Sequence, residues 1–284
     1  MGIYDIINGI IGPVMGPLKI LGPFYVIFLV SLVVSLIVTL VYKWTTDQQL
    51  MKSLRDDIKR MQQELKKLKD NPSKSLKIQK EAMDKNMKLM THSFKSTLIT
   101  FIPLILIFGW LNMNFSYEPV QPGDNFSTYV FFDGSNLPKN ITINVQEGVT
   151  LLSAAQAEIK TLGKDEKLPF NNQYLTSKNY GGFIAKGEEV YYAGWQLSGK
   201  EGEHLVDYYV DGKDIPYTQN ILVSKTDYDK PLQKIEDGIV KGTMVDQGKL
   251  IVMNLFGWKL GWLGCYIIFS ILFSTLMRKL LKVY

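Results

Sequence analysis

Three stretches of the sequence contain no charged residue, and this feature limits the possible folds more than any other. They run from Ile20 to Tyr42, from Ser96 to Tyr117 and from Leu260 to Met277, and contain 23, 22 and 18 residues. An α-helix rises about 1.5 Å per residue, so helices of these lengths can cross the roughly 30 Å hydrocarbon core of a bilayer. The sequence therefore predicts a multi-pass membrane protein with three transmembrane helices, and it excludes a purely soluble globule.

Charged residues are unevenly divided among the segments that join these stretches. Residues 43–95 hold 14 basic and 7 acidic residues, Arg278, Lys279 and Lys282 follow the third stretch, and residues 117–259 hold 14 basic and 19 acidic residues. Because short loops rich in Lys and Arg stay in the cytoplasm, we expect an external amino terminus and a cytoplasmic carboxyl terminus in a plasma membrane. The basic loop favours anionic lipid headgroups as a partner. Since no aromatic residues interleave its lysines, DNA is not expected to bind there.

The amino-terminal segment is predicted to be retained, with the first span as an anchor. No small-residue cleavage site precedes Lys43, so a signal peptide is not expected. Met1 to Ile11 is apolar enough to form a short helix in the outer interface. The Gly-Pro pairs that follow are predicted to break it: Gly12-Pro13, Gly16-Pro17 and Gly22-Pro23.

Between the first two spans, apolar residues recur at the spacing of a coiled coil. The first series is Trp44, Met51, Leu54, Ile58, Met61, Leu65 and Leu68, and the second is Leu76, Met83, Met87, Met90 and Phe94. The run Asp70-Asn71-Pro72-Ser73 separates them and is expected to stop the first helix. The pattern predicts a cytoplasmic antiparallel coiled-coil hairpin with both series in its seam.

Five methionines of this hairpin are candidate substrate-capturing residues: Met51, Met61, Met83, Met87 and Met90. Methionine is unbranched and polarizable, so it adapts to many apolar partners. Two interpretations are open. The methionines either fill an ordinary seam between two helices or leave an exposed row that receives a hydrophobic segment arriving from the cytoplasm.

Serine and threonine residues of the spans form a second candidate set, which would line a substrate groove. Its members are Ser31, Ser35, Thr39, Thr97, Thr100, Ser270, Ser274 and Thr275. The three on the first span are four residues apart and share one helical face. These hydroxyls either bond back to carbonyls of their own helices or turn toward a wet recess, which would shorten the apolar path of a translocating segment.

The long interval after the second span reads as short strands separated by turns. The expected strands are Phe126–Phe132, Ile141–Gln146, Phe183–Ala185, Val190–Leu197, Leu205–Val210, Ile215–Val223 and Met244–Met253. The fourth and fifth of these are expected to pair as a hairpin, and Thr150–Leu162 is expected to be a helix. About 140 residues of this kind suit one small β-sandwich or curved sheet.

The predicted fold class is an α+β membrane protein with three transmembrane helices, a cytoplasmic antiparallel coiled-coil hairpin and an extracytoplasmic, mainly-β domain inserted between the second and third spans. The predicted segments are an interfacial segment 1–22, spans at 23–43, 96–117 and 257–277, the hairpin 44–95, the β-rich domain 118–256 and a basic tail 278–284.

These features resemble a known family. The chain resembles the archaeal YidC-like proteins of the YidC/Oxa/Alb insertase superfamily in four features. The first span has its amino terminus outside, and a basic, methionine-bearing hairpin follows it. The second span opens with Phe94-Lys95-Ser96-Thr97 and contains Pro103, and the third span is followed by a short basic tail. The resemblance covers Met1–Tyr117 and Leu255–Tyr284. It implies a three-helix core with a hydrophilic groove open to the cytoplasm, and a hairpin that meets nascent membrane proteins or ribosomes.

We therefore expect a non-enzymatic membrane protein insertase or chaperone. The sequence holds no H-E-x-x-H, phosphate-binding glycine loop or G-x-S-x-G motif, and the single cysteine, Cys265, has no histidine near it. No catalytic residue, metal site or cofactor is expected. The alternative is a membrane-anchored sensor or scaffold, in which an external β domain binds a ligand and the coiled coil gives the cytoplasmic output.

Overall fold

The computed structural model describes residues 3–67, 72–162, 189–235 and 237–283. The chain divides into two compact units. One contains residues 1–113 and 251–284 and is helical apart from one small hairpin. The other contains residues 114–250 and is built from β-strands. The α+β class is therefore confirmed.

Three helices are long and apolar enough to cross a membrane: α2 (Pro23–Thr45), α4 (Pro72–Phe115) and α5 (Trp262–Leu280). Their most apolar windows have mean hydropathies of 2.9, 1.8 and 1.5. The second predicted span is the carboxyl-terminal part of α4, which continues unbroken through Pro103. The third helix begins at Trp262, five residues later than the predicted span 257–277, because residues 253–260 form a hairpin instead.

Aromatic side chains join the apolar helices. Phe28 of α2 lies edge-on against Phe269 and Phe273 of α5, with ring centroids 5.3 and 5.0 Å apart. Phe108 of α4 meets Tyr266 of α5 at 4.7 Å. Edge-to-face packing of this kind adds about 0.5–1.5 kcal/mol per pair beyond the burial of apolar area.

The amino-terminal helix α1 (Ile3–Met15) is longer than predicted. It runs through Gly12-Pro13 and passes into a 3₁₀ helix, Gly16–Leu21, which ends at Gly22 with φ of 81°. The helix passes the first Gly-Pro pair and ends directly before the second, Gly16-Pro17, so the predicted break comes four residues later than Ile11. Pro13 removes one hydrogen bond close to the helix end, where few bonds remain to be lost, and Pro17 lies in the first turn of the 3₁₀ helix, where its missing N–H has no partner to lose.

Helix α3 (Gln48–Lys67) follows α2 after a capped turn. The Asp47 carboxylate accepts hydrogen bonds from the backbone N–H groups of Gln49 and Leu50, at 2.9 and 3.0 Å. Such a cap satisfies N–H groups that the helix leaves unpaired at its first turn. Of the predicted Asp70–Ser73 turn, Asp70 and Asn71 lie outside the described residues, and Pro72 and Ser73 already belong to α4, so the turn itself stays a prediction.

Helices α3 and α4 contact each other in antiparallel order. Met61 packs with Ile78 and Ala82, and Lys85 Nζ lies 2.5 Å from the Asp57 carboxylate. Of the first predicted series, Met51, Leu54, Ile58 and Met61 are buried and Leu65 is partly buried, as expected. Trp44 is 76% exposed and lies at the end of α2, so its predicted place in the seam is wrong, and Leu68 lies outside the described residues. The seam predicted for the second helix is wrong, because its members are exposed: Leu76, Met83, Met87, Met90 and Phe94.

The seam of α4 instead follows residues 78, 82, 85 and 89, which have an equally regular spacing of four, three and four. Ala82 packs against Met61 on this face, and Lys85 reaches Asp57 from it. The larger apolar residues, which the sequence pattern favours, consequently point away from α3. The coiled-coil character of the pair stays a prediction.

The β-rich unit contains two antiparallel sheets around a shared core. One has the order β3 (Val149–Leu151), β6 (Val190–Gly199), β1 (Asn125–Phe132), β10 (Val240–Val245) and β9 (Leu232–Lys234), and β5 (Lys160–Leu162) also pairs with β6. The other has the order β4 (Gln156–Ala157), β2 (Ile141–Val145), β7 (Gly202–Val210) and β8 (Tyr217–Val223). Trp195 of the first sheet and Tyr208 of the second lie 5.5 Å apart in the core, both almost fully buried.

The predicted pairing of Val190–Leu197 with Leu205–Val210 is wrong. These segments are the strands β6 and β7, but β6 pairs with β1 whereas β7 pairs with β2 and β8. The chain crosses between the sheets at residues 200–201. Gly199 permits this close crossing, since a Cβ there would lie 2.9 Å from Val223 Cγ2. An alternating pattern gives each strand a buried face but does not name its partner.

Two other segments differ from expectation. Thr150–Leu162 is not a helix but contains strand β4, strand β5 and most of β3, because its backbone bonds to neighbouring strands: the Ala155 carbonyl accepts from Ile143 N–H and from the Trp195 indole. Met244–Met253 is not one strand, since β10 ends at Val245 and β11 begins at Met253. The predicted strand Phe183–Ala185 lies outside the described residues.

Candidate functional site

The hydroxyl groups of α2 are buried on one face of the helix. Ser31, Ser35 and Thr39 are almost completely inaccessible to solvent. The Ser31 hydroxyl donates to the Ile27 carbonyl at 2.6 Å, and the Thr39 hydroxyl donates to the Ser35 carbonyl at 2.7 Å. This face was predicted from the four-residue spacing, and the structure shows that it points into the helical unit.

The hydroxyls of α4 and α5 lie in mixed surroundings. Thr100 is buried, Ser270 and Ser274 are half-buried, and Thr97 and Thr275 are exposed. Each donates to a carbonyl three or four residues earlier in its own helix. Such bonds are the usual way in which serine and threonine satisfy themselves in apolar helices.

Among the described residues, no hydrogen bond joins two of these eight candidate hydroxyls across helices. The side-chain contact between α2 and α4 is made instead by Tyr42 and Ser93, whose hydroxyl oxygens are 3.4 Å apart. The helical back-bonds agree with a packing role for the hydroxyls, and a common water-accessible groove stays a prediction.

The five hairpin methionines fall into two groups. Met51 and Met61 are buried between helices, at 0% and 7% exposure. Met83, Met87 and Met90 are 66%, 56% and 60% exposed on α4. Both interpretations of the methionines therefore describe part of the set: the first two fill a seam, and the other three form an uncovered surface.

The exposed methionines belong to a longer apolar row that runs along α4. We call this set the apolar row, and its members are Leu76, Met83, Met87, Met90, Phe94, Leu98, Phe101 and Ile105, all about half or more exposed. At 3.6 residues per turn these eight positions lie within about 80° of one another around the helix axis. Lys80 interrupts the row between its first two members. The row thus starts in the basic segment and continues into the uncharged span without a break in the helix.

Lysines lie along one side of the exposed part of the row, and Lys85, on the face toward α3, joins the helix pair. Lys85 bonds Asp57, and the pKa of the Asp57 carboxyl is held below its usual value chiefly by this hydrogen bond. Lys77, Lys80 and Lys88 are exposed. The exposed Asp84 lies on the same side, nearer to the row than Lys77 and Lys88. The apolar row is therefore bordered on one side by charged residues of both signs, with lysines in the majority.

A junction at the base of α3 was not predicted from the sequence. Tyr42, Met51 and Val283 are buried together, with Leu89 and Leu281 packed against them. The Arg278 guanidinium lies over the Tyr42 ring, 5.3 Å from its centroid. These residues are scattered along the chain, and the only available sequence signal was the apolar Val283 within a basic tail.

The β-rich unit has one further feature of interest, a cavity of about 300 Å³ on the sheet that contains β1 and β6. Its lining is mixed polar and aromatic: Ser127, Tyr129, Ser153, Lys160, Tyr192, Gly194, Trp195 and Gln196. Burial raises the pKa of Tyr129 above its ordinary value. Within the described ranges, no three His, Cys, Asp or Glu side chains gather in a way that could hold a metal ion.

Comparison with known proteins shows a similarity to a membrane protein family. Residues 8–145 match the family model described as integral membrane protein EMC3/TMCO1-like, which is 138 of the 284 residues. The matched part includes α2, α3, α4 and the first two β-strands, and it stops before α5. No curated protein and no solved structure matches the chain.

The match agrees with the coarser part of the resemblance found in the sequence. The EMC3/TMCO1-like family falls within the broader YidC/Oxa/Alb insertase-related group and is associated with membrane protein insertion. The match does not single out YidC-like proteins within that group. It agrees with a multi-pass membrane protein.

Proposed function

From the similarity of residues 8–145 to an integral membrane family associated with insertion, we propose that this protein assists the insertion of transmembrane segments into a membrane. The observation that carries the proposal is the apolar row of α4. It offers an uncovered apolar surface that begins in the basic segment and ends within a span.

The length of the apolar row suits this task. From Leu76 to Ile105 the helix advances 29 residues, or about 44 Å at 1.5 Å per residue. An incoming transmembrane segment of about 20 residues is about 30 Å long, so it can lie wholly on the row before it enters the bilayer. As the incoming segment moves along the row toward the span, its apolar contacts with α4 are replaced by contacts with lipid.

Methionine is suited to the exposed start of the row. Its flexible thioether side chain adjusts to clients of different shapes, and it can take up more conformations than leucine or phenylalanine at the same position. The lysines beside the row keep this surface soluble and attract anionic lipid headgroups. We propose nascent membrane proteins as clients and ribosomes as a further partner of the basic segment.

The orientation belongs to the same proposal. Under the positive-inside rule, α3 and the first part of α4 lie in the cytoplasm of a plasma membrane, and the β-rich unit lies outside. Clients would then approach from the cytoplasm. No nucleotide, metal or cofactor takes part in this mechanism.

The groove is the second element of the mechanism. Hydroxyls at Ser35, Thr39 and Thr100 would hydrate the cytoplasmic half of the helical unit, and a hydrophilic flank of the client would cross less hydrocarbon. Each polar group that is left unsatisfied in hydrocarbon costs several kcal/mol. What supports this part is the four-residue spacing that places Ser31, Ser35 and Thr39 on one face of α2. Because these hydroxyls are buried, the helices must part before water reaches them.

Reconstituted insertion tests the proposal. The full chain in liposomes should increase the protease-protected yield of a membrane protein client added during translation, relative to empty liposomes. The variant Met83→Ser, Met87→Ser, Met90→Ser should lose most of that increase. Equal yields from the wild-type chain and empty liposomes would contradict the proposal.

The cavity of the β-rich unit supports a second candidate function, that of a sensor or scaffold. An aromatic and polar lining with one lysine suits a small ligand. A sensor should bind its ligand at Lys160 and should show no association between the apolar row and nascent chains, so the insertion assay separates the two functions.

A further inference from the structure

The small hairpin that precedes α5 has one apolar face and one polar face. Strand β11 (Met253–Leu255) pairs with β12 (Trp258–Leu260), and the directly opposite pairs are Met253 with Leu260, Asn254 with Lys259, and Leu255 with Trp258. Side chains of directly opposite residues lie on the same face of the pair, and successive residues alternate between faces. Met253, Leu255, Trp258 and Leu260 therefore share one face, and Asn254 and Lys259 share the other.

The tip of this hairpin holds a phenylalanine in a conformation that phenylalanine rarely adopts. Phe256 and Gly257 connect the strands with φ values of 51° and 91°. Two-residue turns with positive φ at both positions normally use Asn-Gly or Asp-Gly. Asn254 supports the turn, since its side-chain oxygen accepts a hydrogen bond of 3.0 Å from the Gly257 N–H. A bulky side chain at the first turn position is strained.

The apolar side of the hairpin is also uncovered. Phe256 is 102% exposed and Trp258 is 69% exposed, and Leu255 is more than one-third exposed. On a surface that faces water, no contact would offset the backbone strain at Phe256 or the exposure of the two large aromatic side chains. This combination indicates contact with an apolar medium.

We propose that this hairpin is an interfacial wedge, which inserts Phe256 and Trp258 into the headgroup and acyl boundary of the leaflet that holds the amino-terminal end of α5. The chain position supports a lipid occupant, because α5 begins at Trp262, two residues after the hairpin. Aromatic residues are enriched at this level of a bilayer, and the outer residues Leu263 and Ile267 of α5 continue the exposed apolar surface.

The size and charge of the hairpin fit the same occupant. Strands of three residues are about 10 Å long, similar to the 5–10 Å depth to which interfacial elements enter a bilayer. Lys259 on the polar face would point toward phosphate groups, and the sequence has no acidic residue after Asp246. The wedge would fix the depth of the amino-terminal end of α5, and it does not depend on the proposed role in insertion.

Site-specific labelling of the full chain tests the wedge. Cys265 is the single cysteine of the sequence, so the Cys265→Ala variant contains none. One cysteine is then introduced in each test protein and labelled with an environment-sensitive fluorophore. Phe256→Cys and Trp258→Cys report the apolar face, and Lys259→Cys is the matched control on the polar face. The proteins are placed in phosphatidylcholine vesicles with and without spin-labelled acyl chains, and iodide is added to the buffer.

The labels at 256 and 258 should be quenched several-fold more by the spin-labelled lipid, and several-fold less by iodide, than the label at 259. Equal iodide quenching at all three positions would overturn the proposal, because it would place the tip in water. Shielding from iodide without quenching by lipid would also overturn it, because a protein surface would then cover the tip.

A second variant separates the anchor from the turn. Phe256→Gly suits the positive φ and keeps the hairpin, so in the Trp258→Cys protein it should reduce lipid quenching several-fold without unfolding the turn. Unchanged quenching in that variant would contradict an anchoring role for Phe256.

Discussion

Replacement of Met83, Met87 and Met90 by serine should weaken client binding while leaving the fold intact. The three side chains are 56–66% exposed, so they contribute little to the packing of α4 against α3. Exposed substitutions of this kind usually change the free energy of unfolding by less than about 0.5 kcal/mol. Any larger effect on binding must then come from contact with the client.

The size of that effect follows from the exposed surface. Full burial of a methionine side chain is worth about 1.5–3 kcal/mol, and a client helix lying on one side would cover about half of the exposed 60%. Each methionine then contributes about 0.5–1 kcal/mol, and the three together about 2 kcal/mol. Such a loss weakens the affinity roughly 30-fold.

The assay is a titration of a fluorescent transmembrane peptide with the full chain in lipid nanodiscs. The matched control is Gln79→Ser, Asn86→Ser, Thr91→Ser, which changes three exposed polar residues of the same helix. Its affinity should equal that of the wild-type chain. The single variant Met61→Ser, at a buried position, should instead lower the stability of the helix pair by about 2–5 kcal/mol. Equal affinities of the methionine triple variant and its polar control would refute the reasoning.

Three further predictions concern the helix pair, the groove and the β-rich unit. Asp57→Asn should loosen the contact between α3 and α4 at neutral pH, which a spin-label distance between the two helices would measure. The pKa of Asp57 is lowered from 3.8, so the wild-type carboxylate loses its charge only as the pH falls below that value. The wild-type contact should then weaken until the variant and the wild type give the same distance. Ser35→Ala, Thr39→Val, Ser274→Ala should preserve thermal stability and reduce the insertion yield of clients with hydrophilic flanks, whereas an unchanged yield would leave the hydroxyls a packing role only. Burial raises the pKa of Asp237, but hydrogen bonds outweigh this effect and hold the pKa below its ordinary range; the donors are Tyr217, the backbone N–H groups of Val240 and Ile239, and Lys213. Asp237→Asn should therefore destabilise the β-rich unit by about 1–2 kcal/mol at neutral pH. The difference between variant and wild type should disappear in acid, where the wild-type carboxylate is protonated.

The sequence predicts those features that depend on composition along a single segment. The apolar stretches became α2, the end of α4 and α5, because length and absence of charge are sufficient to specify a spanning helix. The strands β1, β2, β6, β7 and β8 also lie where alternating residues placed them.

Features that depend on the choice of partner were not predictable in this way. The seam of α4 uses Ile78 and Ala82 in place of Met83 and Met87, since both sets have helical spacing and only contact with α3 decides between them. Strand β6 pairs with β1, although β7 follows it after two residues. The contact of Tyr42 with Arg278 joins residues more than 200 positions apart.

The central claim is that the apolar row of α4 receives transmembrane segments, and photocrosslinking in the full chain tests it most directly. A photoreactive amino acid at Met83 or Met87 should form adducts with nascent membrane proteins during translation, and the same group at His92, an exposed position on the opposite side of the helix from the row, should form few. Adducts of equal abundance at all three positions, or none at Met83 and Met87, would contradict the account.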